Sequence, residues 1–286
     1  MPEPNRGRDT VPASTFADAE LVAIFNRVYS DYFVPITVND AAWQGMVERF
    51  DLDLEASRVA AGGDGIALLG IRGERGWVGG MGVVPEARRN GTGRVLMKAL
   101  IEQARMRAVT EVRLEVLEQN RPAIALYEAL GFRRSRELEV WSLSDTIEPG
   151  RAREIDAEDA LAWIAARRSE PEPWQRADIS VRRSAAPGQP LRGLELREQG
   201  QRTAAAVAIV VASRVSLLQM CVTGDEPAAQ ARALCSAARA WAPVLRFLNV
   251  PADVPAAAVL RDAGGTLEAR QLEMRLDLAP APEASR

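Results

Sequence analysis

The chain of 286 residues is 47% hydrophobic and 26% charged, with a formal net charge of −3. This length and composition suit two globular domains, each large enough to bury its own core. No apolar run approaches the roughly 20 residues that a membrane span needs. The polar stretch from Met1 to Asp9 lacks the apolar core of a signal peptide. We therefore expect a cytoplasmic protein with no membrane partner.

Residue types that are absent or scarce exclude several classes of chemistry. Histidine is missing from the sequence, which excludes Ser-His-Asp triads, Cys-His pairs and histidine-ligated zinc. The two cysteines, Cys221 and Cys235, lie in alanine-rich surroundings typical of small buried side chains. Cationic residues are scattered and form no basic stripe, so we expect no nucleic-acid partner. Catalysis must use carboxylates, tyrosines, backbone amides or a bound cofactor, and we expect no metal.

Hydrophobic spacing and turn residues predict the elements of the first half in order. A first helix, capped by Thr15, is indicated by apolar residues at helical spacing, namely Leu21, Phe25, Val28 and Tyr32. A second helix begins at Asn39. There follow strands at 58–61, 66–71 and 77–84, a long helix through 96–103, a strand at 112–117, a helix at 122–130 and a strand at 137–143. This order is typical of an α/β layered domain.

The second half of the sequence repeats the first, behind a polar stretch at residues 144–156. Residues 253–260 mirror residues 120–127 at an offset of 133, with a glycine four residues after each segment. Upstream, the strand pair mirrors an earlier strand pair at an offset near 138, so the following loop is about five residues shorter in the second copy. We predict two related domains in tandem, at residues 10–148 and 151–279.

The most informative segment is the loop between the third strand and the long helix. It reads Val83-Val-Pro-Glu-Ala-Arg88-Arg-Asn-Gly91-Thr-Gly93-Arg94. Its glycines allow a tight turn and a close approach to a ligand, and the first turn of the helix offers unpaired N–H groups and the positive end of its dipole. Such a loop suits a phosphate, to which Arg88 and Arg94 would add contacts. The alternative is a loop whose glycines serve only the turn.

A second motif runs from Leu114 to Phe132 through a strand, a loop, a helix and a turn. Together with the loop, it resembles the GNAT superfamily of acyl-CoA N-acyltransferases over about residues 10 to 148. The loop fits the family's Arg/Gln-x-x-Gly-x-Gly/Ala signature through Arg88, Gly91 and Gly93. The later run fits its Asn-x-x-Ala-x-x-Leu-Tyr-x-x-x-Gly-Phe signature through Asn120, Ala123, Leu126, Tyr127, Gly131 and Phe132. One departure is the pair Arg89-Asn90, where the family often has a third glycine.

The resemblance implies that each domain has a central mixed sheet flanked by helices, and that acetyl-CoA is the co-substrate. The pyrophosphate would lie on the main-chain amides of the loop and helix start: Arg89, Asn90, Gly91, Thr92, Gly93 and Arg94. The pantetheine arm would extend the third strand and contact Asn120, and donors near Met81 and Val83 would hold the thioester carbonyl. An amine would attack directly, and Tyr127 would protonate the departing thiolate.

Two of these residues also have purely structural interpretations. Asn120 caps the helix that begins at Pro122, a favoured role for asparagine before a proline. Tyr127 lies on one helical face with Ile124 and Leu130, as a core aromatic residue would. The motif favours the role of acid for Tyr127.

The base that takes the proton of the amine is expected on the strand before this helix. Alternation places Leu114 and Val116 on one face of that strand and Glu115 on the other. In family members that acetylate protein N-termini, a glutamate at the matching position is the base, so Glu115 is the first candidate. Glu118 and a water chain are the alternatives for the proton, and a solvated carboxylate or a partner of Arg113 is the structural alternative for Glu115.

The second copy lacks features of the predicted site. Leu260 stands where the first copy has Tyr127, and the shortened loop, Val222-Thr-Gly-Asp-Glu226, places two carboxylates where a pyrophosphate would lie. We therefore predict a catalytically inactive second domain with a structural or substrate-shaping role.

The acceptor is a small-molecule amine or a peptide, and residues 29–43 are expected to form one wall of its pocket. The sequence is compatible with a monomer or a homodimer. A non-catalytic acyl-CoA-sensing or protein-interaction module is the main alternative function. A different phosphate-ligand enzyme that uses the same glycine turn is a further alternative.

Overall fold

The computed structural model describes residues 9–144 and 150–278. Residues 1–8, which we interpreted as lacking a signal peptide, lie outside the described residues. So do residues 145–149 of the predicted boundary and residue 279 at the predicted end of the second domain. The described residues form two compact units, one of residues 9–135 with 273–278 and one of residues 136–144 with 150–272. We call them the first and the second unit.

The described part of the first half of the chain contains the predicted helices and strands. In chain order they are β1 (Thr10–Pro12), α1 (Asp18–Val28), α2 (Asp40–Arg49), β2 (Arg58–Ala60), β3 (Gly65–Arg72), β4 (Arg75–Val83), α3 (Thr92–Met106), β5 (Glu111–Leu117), α4 (Arg121–Glu128) and β6 (Arg133–Leu143). Short 3-10 helices lie at Ala13–Thr15 and Pro85–Ala87.

The second half repeats this order of elements. It comprises β7 (Arg153–Ile155), α5 (Ala157–Ala165), α6 (Asp178–Arg182), β8 (Leu191–Glu198), β9 (Gln201–Val211), β10 (Arg214–Val222), α7 (Pro227–Arg239), β11 (Val244–Pro251), α8 (Pro255–Asp262) and β12 (Thr266–Asp277). A 3-10 helix precedes α6 at Trp174–Arg176. The element order confirms the tandem repeat predicted from the sequence.

Each unit has a mixed sheet, and each takes its last strand from the other half of the chain. The strand order is β1-β2-β3-β4-β5-β12 in the first unit and β7-β8-β9-β10-β11-β6 in the second. In the first, β1 to β4 are antiparallel and β4 pairs with β5 in parallel. In the second, β7 to β10 are antiparallel and β10 pairs with β11 in parallel. The units therefore divide within β6 and β12, whereas the sequence placed the boundary in the polar stretch after β6.

The cap of helix α1 differs from the prediction. Thr15 does not cap this helix, because it lies in the preceding 3-10 helix, where its Oγ1 donates to the carbonyl of Pro12 at 2.7 Å. Instead, Glu20 Oε2 accepts from the N–H of Ala17 at 2.8 Å. A glutamate at the third helical position satisfies one of the main-chain donors that the start of a helix leaves unpaired.

The segment after α1 departs from the predicted helical pattern. The helix ends at Val28, so Tyr32 lies in the following turn and not on the apolar face of the helix. Helix α2 begins as predicted after Asn39, whose Oδ1 accepts from the N–H of Ala42 at 2.9 Å. The turn between the two helices therefore carries side chains that the helical spacing had placed in the core.

Close packing of α1 on β4 depends on glycine. A Cβ atom at Gly82 would lie 2.3 Å from Val28 Cγ1 of α1. Real Cβ contacts of this length do not occur, since they lie far inside the van der Waals distance. The missing side chain lets the helix approach the main chain of the strand.

Each unit buries apolar side chains on both faces of its sheet. In the first unit, Leu96 and Leu100 of α3 are fully buried on one face, and Leu21 and Phe25 of α1 are buried on the other. Burial of side chains of this size contributes about 1.5–3 kcal/mol each. In the second unit, alternate residues of β9 face two separate clusters. No helix in the described part of the chain combines the length and the apolar character of a transmembrane span.

Candidate active site

The cleft of the first unit begins where β4 and β5 separate. The two strands pair in parallel only from Arg75 to Trp77 and from Glu111 to Arg113. Two residues later, the register of β4 against β3 shifts, because Gly79 is an extra residue between the pairs of Val78 and Gly80. Such a bulge bends and twists a strand. The predicted separation of these strands is therefore present, and it exposes the end of β4 to a ligand.

Helix α3 starts beside this cleft. Gly91 adopts a left-handed conformation with φ of 85°, and its carbonyl accepts the N–H groups of Arg94 and Val95 at 3.0 and 3.1 Å. The earlier amides, at Thr92 and Gly93, belong to the first helical turn, where N–H groups have no intrahelical acceptor. The helix has 15 residues and no acidic residue in its first turn. Its start is therefore a favourable position for an anion.

Gly93 brings three elements of the predicted site together. A Cβ atom at Gly93 would lie 3.0 Å from Met81 Cε on β4 and 3.5 Å from Leu126 Cδ2 on α4. The helix start, the end of β4 and the helix that carries Tyr127 therefore meet at this glycine. Around Gly91, by contrast, a Cβ atom would have no neighbour within 4 Å, which leaves room for a ligand in front of the loop.

Arg88 and Arg89 shape the loop before α3. The Arg88 guanidinium donates from Nε to the carbonyl of Val83 at 2.9 Å and forms a bidentate pair with Asp31, at 2.7 and 2.6 Å. These bonds lower the pKa of Asp31. Arg89 has φ of 64°, a left-handed conformation. Arg88 thus braces the loop here, and the contacts of Arg88, Asn90 and Arg94 with a phosphate stay predictions.

Tyr127 lies on α4 facing the interior of the first unit, with 6% of its surface exposed. The turn after α4 brings Phe132 back to Tyr127, because Gly131 has φ of 96° and the N–H of Phe132 donates to the Tyr127 carbonyl at 3.0 Å. The rings of Phe132 and Tyr127 are 5.9 Å apart. Burial, together with the nearby phenols of Tyr29 and Tyr32, raises the pKa of Tyr127 above its usual value. The hydroxyl therefore keeps its proton at neutral pH, as an acid must.

The other two tyrosines of the chain lie in the same cluster. The ring centroids of Tyr29 and Tyr32 are 5.1 Å apart, and Tyr29 Oη accepts a hydrogen bond from the N–H of Met81 at 3.1 Å. Burial raises the pKa of Tyr29 as well. The sequence contains three tyrosines, and all three share this site. Sequence reasoning had placed Tyr29 only in an acceptor wall and missed its bond to β4.

Asn120 has two partners in the first unit. Its Oδ1 accepts from the N–H of Ala123 at 3.4 Å, so it caps α4. Its side chain also hydrogen-bonds to the Tyr32 hydroxyl, whose pKa burial raises and this bond partly lowers. The capping alternative is therefore present, and contact with a pantetheine arm stays a prediction.

Glu115 lies just beyond the last β4–β5 pair. Its Oε2 accepts from the indole N–H of Trp77 at 2.8 Å. The Arg113 side chain, which we considered as a partner, instead pairs with Glu111 and Glu273. Glu118 is exposed at the end of the strand. Glu115 is thus held at the mouth of the separation, and its role as base stays a prediction.

The predicted acceptor wall divides into buried and exposed residues. Trp43 is fully buried, and its ring packs against Phe25 at 6.0 Å, so it belongs to the core. Phe33 is 54% exposed and contacts the ring of Tyr32 at 5.6 Å. An exposed aromatic residue beside the tyrosine cluster is suited to contact an acceptor.

In the second unit, an arginine fills the point at which the corresponding strands separate. Where β10 and β11 separate, the buried Arg176 donates to the carbonyl of Leu218 on β10 and to the carbonyl of Asn249 on β11, both at 2.9 Å. It also pairs with Glu172 at 3.1 Å, and its guanidinium lies 4.5 Å from the Phe247 ring centroid. The positions where a ligand would bond to the strands are therefore taken by a side chain.

The helix start of the second unit is closed as well. The N–H of Gly224 donates to Gln230 Oε1 at 3.1 Å, and Gln230 Nε2 donates to Glu198 at 2.7 Å. Gln230 is fully buried. Leu260, at the position of Tyr127, is buried and apolar.

Residues 37–132 match the acetyltransferase (GNAT) family. That span contains the helix-start loop, the strand of Glu115 and the helix of Tyr127. The first half of this chain carries a GNAT domain. The GNAT motifs predicted from the sequence therefore lie in the region that matches the family.

The relatives differ in how much of the chain they match. A 50-residue stretch is 48% identical to the [ribosomal protein bS18]-alanine N-acetyltransferase of Salmonella typhimurium, and covers 18% of this chain and 34% of that protein. The match thus spans about a third of the length of that relative. A tandem GNAT protein from the clavulanic acid biosynthesis pathway is 16% identical, with a TM-score of 0.66 over 96% of this chain and 99% of that one.

A GCN5-related N-acetyltransferase from Sphaerobacter thermophilus gives the same result. It is 15% identical, with a TM-score of 0.66 over 96% of both chains. The whole described chain therefore has the fold of tandem GNAT proteins, which confirms the predicted fold class.

Proposed function

We propose that the protein is an N-acetyltransferase that moves the acetyl group of acetyl-CoA to an amine within a ternary complex. The single observation that carries this proposal is the position of Tyr127. A protonated, buried phenol lies on the helix that meets both the α3 start and the end of β4 at Gly93. This is where a thioester would lie if its diphosphate bound the helix start.

The chemistry follows from these positions. The diphosphate binds the amides of the α3 start, and the pantetheine arm lies along the end of β4 where β5 has separated. The amine lone pair attacks the thioester carbon and forms the C–N bond, and the C–S bond then breaks as the carbonyl re-forms. Tyr127 donates its proton to the departing sulfur, and the proton of the amine leaves toward Glu115. General acid or base assistance of this kind contributes about 10²–10⁴ in rate.

The acceptor class that we propose is the α-amino group of a peptide or protein. The relative with 48% identity acetylates an alanine of a ribosomal protein. The exposed Phe33 beside the tyrosine cluster supports an acceptor larger than a simple alkylamine. We propose no catalytic role for the second unit, since Arg176 and Gln230 hold the groups that a ligand would need.

The experiment measures release of the CoA thiol from acetyl-CoA with a panel of amino-terminal peptides, amino acids and small amines. Turnover is expected with peptides, and Tyr127→Phe is expected to lower kcat by about 10²-fold or more with little change in acetyl-CoA affinity. Tight binding of acetyl-CoA without turnover on any amine would favour a sensor. An unchanged rate in Tyr127→Phe at both low and high pH would remove the acid assignment.

A further inference from the structure

Tyr29 places a phenol hydroxyl on the main-chain amide that we expected to hold the acyl group. Its oxygen lies 3.1 Å from the Met81 nitrogen and accepts its N–H. The main chain of Tyr29 is fixed in turn, because its own N–H donates to the Phe25 carbonyl at 3.1 Å, at the end of α1. The phenol is therefore positioned by a helix terminus and is not free to move with a loop.

The glycines of β4 permit this contact. A Cβ atom at Gly80 would lie 3.4 Å from the Tyr29 oxygen and 3.2 Å from the Phe25 ring, and one at Gly82 would lie 2.3 Å from Val28. Any larger residue at Gly82 would push the end of α1 away from the strand. When β4 and β10 are aligned on the extra residue that each carries, the matching positions of the second unit are Gln219 and Cys221. The close approach is therefore specific to the first unit.

The direction of the hydrogen bond decides what the hydroxyl can do. Met81 donates and Tyr29 accepts, so the bond uses an oxygen lone pair and leaves the phenol proton available to a second acceptor. Donation into the oxygen also polarises the O–H bond and makes it a stronger donor. The hydroxyl therefore has what is needed to stabilise a negative oxygen in the cleft.

We propose that Tyr29 donates the hydrogen bond that stabilises the oxyanion of the acetyl transfer, and that Met81 polarises Tyr29 without contacting the acyl group. This inference rests on the proposed function and deepens it. As the C–N bond forms, the carbonyl π electrons move onto oxygen, which receives the Tyr29 hydrogen bond without proton transfer. As the C–S bond breaks, the electrons return to the carbonyl and Tyr127 protonates the sulfur.

The proximity of the two phenols supports this division of roles. A thioester carbon carries its oxygen and its sulfur on adjacent bonds, so their two donors must lie within a few ångströms of each other. Tyr29 lies near enough to Tyr127 to contribute, after burial, to the raised pKa of Tyr127. Both hydroxyls stay protonated because burial raises both pKa values.

The kinetic test compares Tyr29→Phe with the wild-type protein. The ring and its packing remain, and only the donor is lost. Removal of one oxyanion donor is expected to lower kcat by about 10²–10³-fold, with the acetyl-CoA dissociation constant unchanged. An unchanged or faster rate would overturn the proposal, because it would mean that the phenol only occupies the Met81 amide and that the amide itself serves the acyl group.

A spectroscopic test separates this inference from the proposed function. The carbonyl stretch of acetyl-CoA labelled with ¹³C at the carbonyl is measured when it is bound to the full-length protein. A shift to lower frequency than in water is expected for the wild type and for Tyr32→Phe, and a smaller shift for Tyr29→Phe. If the wild type binds acetyl-CoA but acetylates no amine, the proposed function fails while this shift still decides the role of Tyr29. Equal frequencies in wild type and Tyr29→Phe would overturn it.

Discussion

The two units build the same cleft from the same elements and differ in the side chains that lie between the separated strands. In the first, β4 and β5 separate after three pairs, beside three tyrosines. In the second, β10 and β11 separate after four pairs, and the guanidinium of Arg176 joins the carbonyls of both strands. Separation of these strands is thus a property of the fold, while access to it is a property of a few side chains.

The positions that we assign to chemistry differ in the same direction. Tyr127 and Glu115 of the first unit correspond to Leu260 and Leu248 of the second at the offset of 133. Leu260 is fully buried, whereas Leu248 is 38% exposed. Packing explains a leucine at the first position and not an exposed leucine at the second. We therefore expect the two polar groups of the first cleft to have a role other than folding.

The difference between the two clefts predicts that the second unit depends on Arg176 for its stability. Arg176→Leu leaves the carbonyls of Leu218 and Asn249 and the carboxylate of Glu172 without their donor. We expect the second unit to lose about 3–5 kcal/mol of unfolding free energy, as when one partner of a buried ion pair is removed. Urea denaturation followed by circular dichroism measures this loss.

A surface pair provides the matched control. Arg182 pairs with Glu158 at 2.9 Å, with side chains 48% and 57% exposed, so Arg182→Ala is expected to cost at most about 1 kcal/mol. Binding of acetyl-CoA to Arg176→Leu is expected to stay at one molecule per chain, because Gln230 still holds the helix start. Equal unfolding free energies of the two variants would mean that the buried contacts of Arg176 stabilise the second unit no more than a surface pair does.

Arg176 also illustrates what the sequence did not reveal. Its acceptors lie 42 and 73 residues away and are main-chain carbonyls, which have no residue-type signature. The Tyr29 contact with Met81 spans 52 residues and is equally invisible. One signal was present, since Gly79, Gly80 and Gly82 marked a strand that something approaches closely. The sequence did not show that Tyr29 is the residue that approaches this strand, because that depends on where α1 ends.

The predicted elements and the two GNAT motifs depended on local patterns, and they were recovered. The cap of α1 was mistaken because two residues, Thr15 and Glu20, each satisfy a capping rule and only the helix start chooses between them. The exchange of β6 and β12 was missed for a different reason. A polar stretch marks a chain connection without showing which sheet each neighbouring strand joins.

Glu115→Gln tests whether Glu115, which corresponds to Leu248 in the second unit, serves as the base. The amide retains the shape and can still accept from Trp77, but it cannot take a proton. We expect kcat to fall about 10²-fold near pH 7 and the loss to shrink to about tenfold at high pH, where an α-amino group is already neutral. The pH–rate profile with a peptide acceptor measures both effects.

Glu118→Gln tests the rival carboxylate. Glu118 is exposed at the end of β5, so this variant is expected to keep the wild-type profile. If Glu118→Gln shows the loss and Glu115→Gln does not, the base is Glu118. If neither changes the profile, the proton leaves through water.

A change at the start of α3 is expected to alter the affinity for acetyl-CoA. Gly91 lies at this helix start in the first cleft, and the second cleft has no glycine at the matching helix start. Gly91→Ala places a Cβ in open space but on a backbone with φ of 85°, a conformation that costs a non-glycine residue about 1–2 kcal/mol. Relief of that strain turns the first amides of the helix away from the diphosphate. We expect a roughly tenfold weaker acetyl-CoA affinity, about 1.4 kcal/mol, and little change in kcat.

Gly73→Ala is the control, because Gly73 has φ of 57° and open space at the other end of β4. It carries the same strain and should keep the affinity. Equal losses in the two variants would mean that strain in the unit, and not the direction of the amides, sets the affinity. The first cleft would then differ from the second only in its side chains.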